Sequence, residues 1–252
     1  MEIVRRTARL LASVTSETEA LLCAHLAADI IDAKNPAAGA LGALPHATVK
    51  AIRARVPRHV PVSATIGDPT NDADATARAV VAMAATGVDI VKVGLNSGAG
   101  SADNLAALAR LDLADVLLVG VLLTDRGVDL DLVKRARDAG FAGLMLDTAD
   151  KKRGALPEVV PGATLQAFVA ATHAADMFAG LAGSLRADHV ADLLEFSPDV
   201  LGFRGGLCRR GDRTATLDPD AVRAVRRAVP FCDSRVPLTG GIARRHQAED
   251  VA

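Results

Sequence analysis

"VLLVGVLL" (116 to 123) leads into "DLDLVKRARDAG" (129 to 140) and then "GLMLDT" (143 to 148), and the reading of these three pieces decides the fold. The outer two are apolar runs of strand length, as in strands buried on both faces. The middle piece spaces its apolar residues as a helix does and stops at Gly140, a C-terminal glycine. Strand, helix, strand is a βαβ unit. The alternation continues both ways along the chain, with strands predicted at "RLLASV" (9 to 14), "ADIIDA" (28 to 33), "PVSATI" (61 to 66), "DIVKVGL" (89 to 95), "MFAGLAG" (177 to 183) and "VLGFRG" (200 to 205). Helical stretches separate them. "SETEALLCAHLA" opens with Ser16 and places Glu19 three residues later, a capping-box pattern; "DATARAVVAMAATG" opens after Asp72 or Asp74 and ends at Gly87. Eight βα repeats with no spare strand predict an α/β fold, a closed (β/α)8 TIM barrel. One domain is expected over residues 1–230, with 231–252 a short C-terminal appendage. An open doubly wound sheet is the alternative, but no GxGxxG follows the first strand.

Composition narrows the function classes. Half of the 252 residues are apolar and the only aromatics are six phenylalanines, so the core must be aliphatic; the net charge of -1 leaves no electrostatic footprint for nucleic acid. The three cysteines form no CxxC pair, which argues against a disulfide framework or a zinc knuckle and for a reducing cytoplasm. No apolar run is long enough for a signal or a membrane span, so a soluble cytoplasmic protein without a membrane partner is expected. The six histidines show no HxH or HExxH spacing, and no metal site is expected. A homo-oligomer is left open, with the tail a candidate contact between copies.

Barrel active sites lie at the C-terminal ends of the strands, so polar residues there carry chemical weight. Asp32 and Lys34 end the second strand, Lys92 sits in the fourth, Asp147 ends the sixth and the eighth carries Arg204. All are on even-numbered strands, which share interior layers. Parity agrees: with Lys92, Asp147 and Arg204 inward, Val91, Val93, Leu144, Leu146, Leu201 and Phe203 face the helices. Gly94, Gly143 and Gly202 then fall inside, which would leave room near the axis. Two lysines in one partly dry space disfavour each other's charge, suiting one for attack on a carbonyl carbon or for proton transfer. "LAGS", with Gly183 and Ser184, and "RGG", with Arg204, Gly205 and Gly206, end strands seven and eight, where many barrels hold phosphate on backbone N–H groups. "DKKRG" (150 to 154) reads equally as an anion clamp or a solvated loop. Thr65 and Asp68 lie at the mouth end of strand three, where Asp68 alternatively shapes a turn. Cys208 reads as a packing residue rather than a nucleophile.

With these residues assembled, the chain resembles the (5-formylfuran-3-yl)methyl phosphate synthase family over almost the whole barrel. "ADIIDAKNPAAGALGA", "VSATIGD", "VKVGL", "LMLDTADKK", "LAGSL" and "FRGGLCRRGDR" carry the resemblance, in the family's order. It implies a lyase that needs no cofactor, joins two molecules of glyceraldehyde 3-phosphate, and supplies a methanofuran-like C1 carrier. Lys34 then matches the family's Schiff-base lysine and Lys92 its proton-transferring lysine. Asp32, Asp147 and Lys151 match further polar residues of that pocket. Two other readings remain: another class I aldolase acting on phosphorylated sugars, and a non-catalytic phosphate-binding barrel.

Overall fold

The structure, a computed structural model, describes residues 7–231 except 97, 99, 151, 152 and the side chain of Arg126. Lys151 and all of the predicted appendage except Phe231 therefore lie outside the described residues. Parallel strands close in sequence order into a barrel: β1 (Arg9–Val14), β2 (Ile30–Ala33), β3 (Val62–Thr65), β4 (Ile90–Leu95), β5 (Leu117–Leu123), β6 (Gly143–Asp147), β7 (Phe178–Ala182) and β8 (Val200–Phe203). Helices between them form the outer ring: α1 (Glu17–His25), α2 (His46–Arg55), α3 (Ala73–Ala84), α4 (Ser101–Leu108), α5 (Asp131–Asp138), α6 (Leu156–Val159), α7 (Gly162–Ala174) and α8 (Val190–Leu194), with α9 (Pro219–Ala228) after β8. Asp72, rather than Asp74, caps α3 by accepting the Ala75 N–H, and Gly87 and Gly140 take the positive φ that ends their helices. Among the described residues no helix is long and apolar enough to cross a membrane.

Strand tilt sorts the inward side chains into layers. Along the pairing register Asp32 faces Ser63 and Ser63 faces Ile90, so moving two strands round the barrel drops the level by two residues. At equal height this aligns Ile30, Ile90, Gly143 and Val200, then Asp32, Lys92, Met145 and Gly202, then Lys34, Gly94, Asp147 and Arg204. The lower layer is apolar and seals the barrel; the upper two carry the charges. Gly94 and Gly143 do not open the space on the axis that parity alone suggests, whereas Gly202 lines a cavity at the barrel mouth. A Cβ on Gly143 would lie 2.5 Å from the Phe178 ring, one on Gly94 would meet Leu41 and Pro69, and one on Gly202 would meet Ala182. A barrel interior is a packed core, so a missing side chain is filled by its neighbour. Gly143→Ala should therefore lower stability by about 1–3 kcal/mol through overpacking against Phe178, read as a lower urea midpoint at unchanged m-value.

The opposite rim repeats one device. Asp29, Asp89 and Asp199 each precede an even strand and accept the N–H of an odd one, Leu10, Val62 and Ala179 respectively, at 2.7–2.8 Å. Each carboxylate also meets a side chain from a helix C-terminal end at 2.7 Å: Arg226 of α9, Arg53 of α2 and His173 of α7. The two arginines further bind carbonyls beyond their own helix ends, at Val229 for Arg226 and at Val56 and Pro57 for Arg53. These ties fix the register that sets even-strand residues at one height.

Candidate active site

Two ion pairs stand side by side in the mouth. Lys92 Nζ lies 2.7 Å from Asp32 Oδ1, and Lys34 Nζ lies 3.4 Å from Asp147 Oδ2. All four groups are buried, Asp32 completely. Asp32 is held from both neighbouring strands, by the Ser13 hydroxyl donating to Oδ2 at 2.9 Å and the Ser63 hydroxyl donating to Oδ1 at 2.7 Å. Ser13 and Ser63 are its register partners on β1 and β3, so pairing alone delivers these donors. The Thr148 N–H donates to Asp147 Oδ1. Both pairs open on a cavity of about 610 Å³, floored by Leu11, Val121 and Met145 and overhung by Leu41.

Burial on its own would push the Asp32 carboxyl up, but the charges of Lys92 and Lys34 and the hydrogen bonds from Lys92 and Ser63 outweigh it, and its pKa is lowered. Lys92 is pushed down, first by burial, which outweighs the attraction of Asp32, and further by the positive charge of Lys34. Lys92 is thus an amine whose proton is loosened yet held against a fixed carboxylate, a disposition suited to proton transfer. Lys34 emerges just past β2, near the top of the layered interior, with one longer ionic contact. From there its amine faces the cavity with the least to break before attacking a carbonyl carbon.

The other predicted residues divide. Gly183, Ser184, Gly205 and Gly206 line the same cavity. Arg204 borders it too, but its guanidinium points to Glu19 of α1, 2.6 Å from Oε2, and donates to the carbonyls of Ser13, Arg213 and Ala215. Thr65 does not line the cavity; its hydroxyl donates to the Gly42 carbonyl. Asp68 accepts the Leu41 N–H. Those two bonds shape the β2–α2 loop so that Leu41 folds back over the barrel. Cys208 is buried with its thiol pushed up to about 11, first by desolvation.

Several contributors escape a reading by strand ends. Ser16 caps α1 as the pattern predicts, but Glu19 reaches the Thr15 N–H and hydroxyl rather than completing the box, and then meets Arg204. Asp125, after β5, accepts the N–H groups of Ala149 and Asp150 and so holds the loop after β6. Serines facing Asp32 were readable only once register was known. Glu19→Gln leaves Arg204 buried without its counter-charge and should cost about 3–5 kcal/mol. Burial alone would raise the Glu19 pKa, but the Arg204 and Thr15 bonds prevail and lower it. The carboxylate's contribution is therefore fully present above pH 4.5 and disappears as pH falls through the lowered folded value. Urea titrations at pH 7 and pH 3 should show the gap between wild type and variant narrowing at the lower pH.

Comparison with known proteins adds a family context. The 4-HFC-P synthase family matches residues 10–226. A (5-formylfuran-3-yl)methyl phosphate synthase of Methanocaldococcus jannaschii is 33% identical over 216 residues, covering 79% of this chain and 90% of its own. A protein of Methylorubrum extorquens, provisionally named for the same activity, is 42% identical over 230 residues, covering 90% of this chain and 94% of its own. Among solved structures, a 3-hexulose-6-phosphate synthase superposes with a TM-score of 0.60 at 19% identity, over 88% of this chain and 100% of that one. Phosphoribosyl anthranilate isomerase from Thermus thermophilus gives 0.61 at 15%, over 87% and 97%. At those identities the two structures speak for the barrel alone.

Proposed function

The chain belongs to the 4-HFC-P synthase family, and from that membership we propose that it is a lyase making (5-formylfuran-3-yl)methyl phosphate from two molecules of glyceraldehyde 3-phosphate, with release of phosphate and water. The observation that carries the reading is the pairing of two buried lysines, each with its own carboxylate, in one cavity. Lys34 attacks the carbonyl carbon of a triose phosphate and, with loss of water, forms an imine. The protonated imine draws electrons from the adjacent C–H bond, whose proton leaves to a base, and the resulting enamine attacks the second aldehyde. Lys92 supplies and recovers protons during the addition and the eliminations that follow, with Asp32 holding it in place. Asp147 sits beside Lys34, where it steadies the charged imine.

Phosphate groups find backbone donors at the ends of β7 and β8. Gly183 and Ser184 take positive φ and aim that loop at the cavity rim, beside Gly205 and Gly206. Incubation with glyceraldehyde 3-phosphate tests the reading: a conjugated furan aldehyde absorbs in the near ultraviolet, and inorganic phosphate appears with it. An aldol product without that absorption would instead assign a simpler class I aldolase.

A further inference from the structure

A phosphate monoester carries close to two negative charges at neutral pH, and the described cavity has already balanced its most prominent cations. Lys34 faces Asp147, Lys92 faces Asp32, and Arg204 faces Glu19. The described cations that remain on the wall are Arg186, just after the β7 loop, and Arg213, in the excursion after β8. Arg186 makes no side-chain bond to a described residue, while Arg213 makes one, from Nη2 to the Gly39 carbonyl at 3.0 Å.

Their placement around the Gly205–Gly206 pair is specific. A Cβ on Gly206 would collide with the Leu185 carbonyl and lie 3.2 Å from the Arg186 Cα. One on Gly205 would lie 3.0 Å from the Gly211 carbonyl and 3.9 Å from the Arg213 Cβ. The glycines thus form a floor that no side chain can cover, with one arginine rooted on each side. The excursion bearing Arg213 is closed by the bridge between Cys208 and Leu217 and by the carbonyls that Arg204 holds. The backbone N–H groups of Ser184, Gly205 and Gly206 donate to no described residue. Rim carboxylates near them are engaged: Asp212 by the Thr214 N–H and hydroxyl, Glu158 by the Ala155 N–H.

We propose that Arg186 and Arg213 are the charge-bearing walls of a phosphate seat floored by Gly205 and Gly206, and that they restrict the enzyme to phosphorylated aldehydes. This rests on the reaction proposed above. Planar guanidinium forks bind phosphate oxygens in pairs, whereas the lysines opposite are kept for carbonyl chemistry. Arg204 serves the seat by fixing the excursion rather than by touching the anion.

Calorimetric titration with inorganic phosphate at constant ionic strength tests the seat without turnover. Wild type should bind, and Arg186→Gln and Arg213→Gln should each weaken binding by about tenfold or more, as charge-assisted bonds require. The KM for glyceraldehyde 3-phosphate should rise with them. Arg209→Gln, an exposed arginine of the same excursion outside the cavity wall, controls for bulk charge and should bind as wild type does. Arg186 has no described partner to lose, so its variant reads binding rather than folding. Unchanged affinity in both variants, or an equal loss in the Arg209 control, overturns the seat. Arginine-dependent phosphate binding without furan synthesis supports the seat and overturns the reaction.

Discussion

Lys34→Ala should lose turnover by roughly 10⁴-fold or more, because on the proposed mechanism it removes the covalent nucleophile and leaves no alternative path of similar barrier. Lys92→Met should lose less, about 10²–10⁴-fold, the range for a general acid or base. The contrast is more informative than either number. In Lys34→Ala the carbon–carbon bond cannot form, so neither phosphate nor furan appears. In Lys92→Met the imine still forms and the block falls on the proton transfers, so the protein–substrate adduct persists. A residual rate in Lys34→Ala higher than in Lys92→Met would exchange the two roles. Lys34→Ala removes a single 3.4 Å ionic contact, to Asp147, and its urea midpoint separates any loss of stability from the loss of turnover.

Asp32→Ala should cost about 3–5 kcal/mol of stability, because it strands the buried Lys92 without the counter-ion it meets at 2.7 Å. The Ser13 and Ser63 hydroxyls lose their acceptor in the same step. The pH dependence has a definite sign. Without Asp32, the burial that already lowers the Lys92 pKa loses its main opposition, so the pKa falls further below the 10.5 at which the unfolded chain's lysine titrates. The unfolded state then binds the extra proton, so the deficit shrinks as pH rises toward that value. Wild type behaves otherwise at the acid end: the depressed Asp32 pKa makes its contribution complete above pH 3.8 and lost as pH falls through the folded value. Urea midpoints at pH 7 and pH 10 check the first point; a deficit that grows with pH would contradict it. Asp32→Asn, which keeps the shape and one acceptor oxygen, should recover part of the loss in stability without recovering the rate.

The barrel was legible because each strand is an apolar run bounded by helical punctuation, and the observed strands fall within one or two residues of those runs. The lysine and aspartate pairs were legible for a related reason: a charge on the inner face of a buried strand has no structural excuse. Arg204 shares that pattern yet turns to Glu19, a carboxylate 185 residues away in sequence that read as half of a helix cap. Long-range partners of that kind leave no local trace. Nor do Gly94 and Gly143, whose parity was right but whose space belongs to Leu41, Pro69 and Phe178. Arg186 and Arg213 lie in loops, where neither period nor parity singles out one arginine from several.

The proposed reaction turns on Lys34, rather than Lys92, as the residue that forms the covalent intermediate. Borohydride reduction of the enzyme during incubation with glyceraldehyde 3-phosphate, followed by peptide mapping, tests it most directly. A reduced triose phosphate adduct is expected on the peptide containing Lys34 and none in Lys34→Ala. An adduct on Lys92, or no adduct while furan product accumulates, would contradict it.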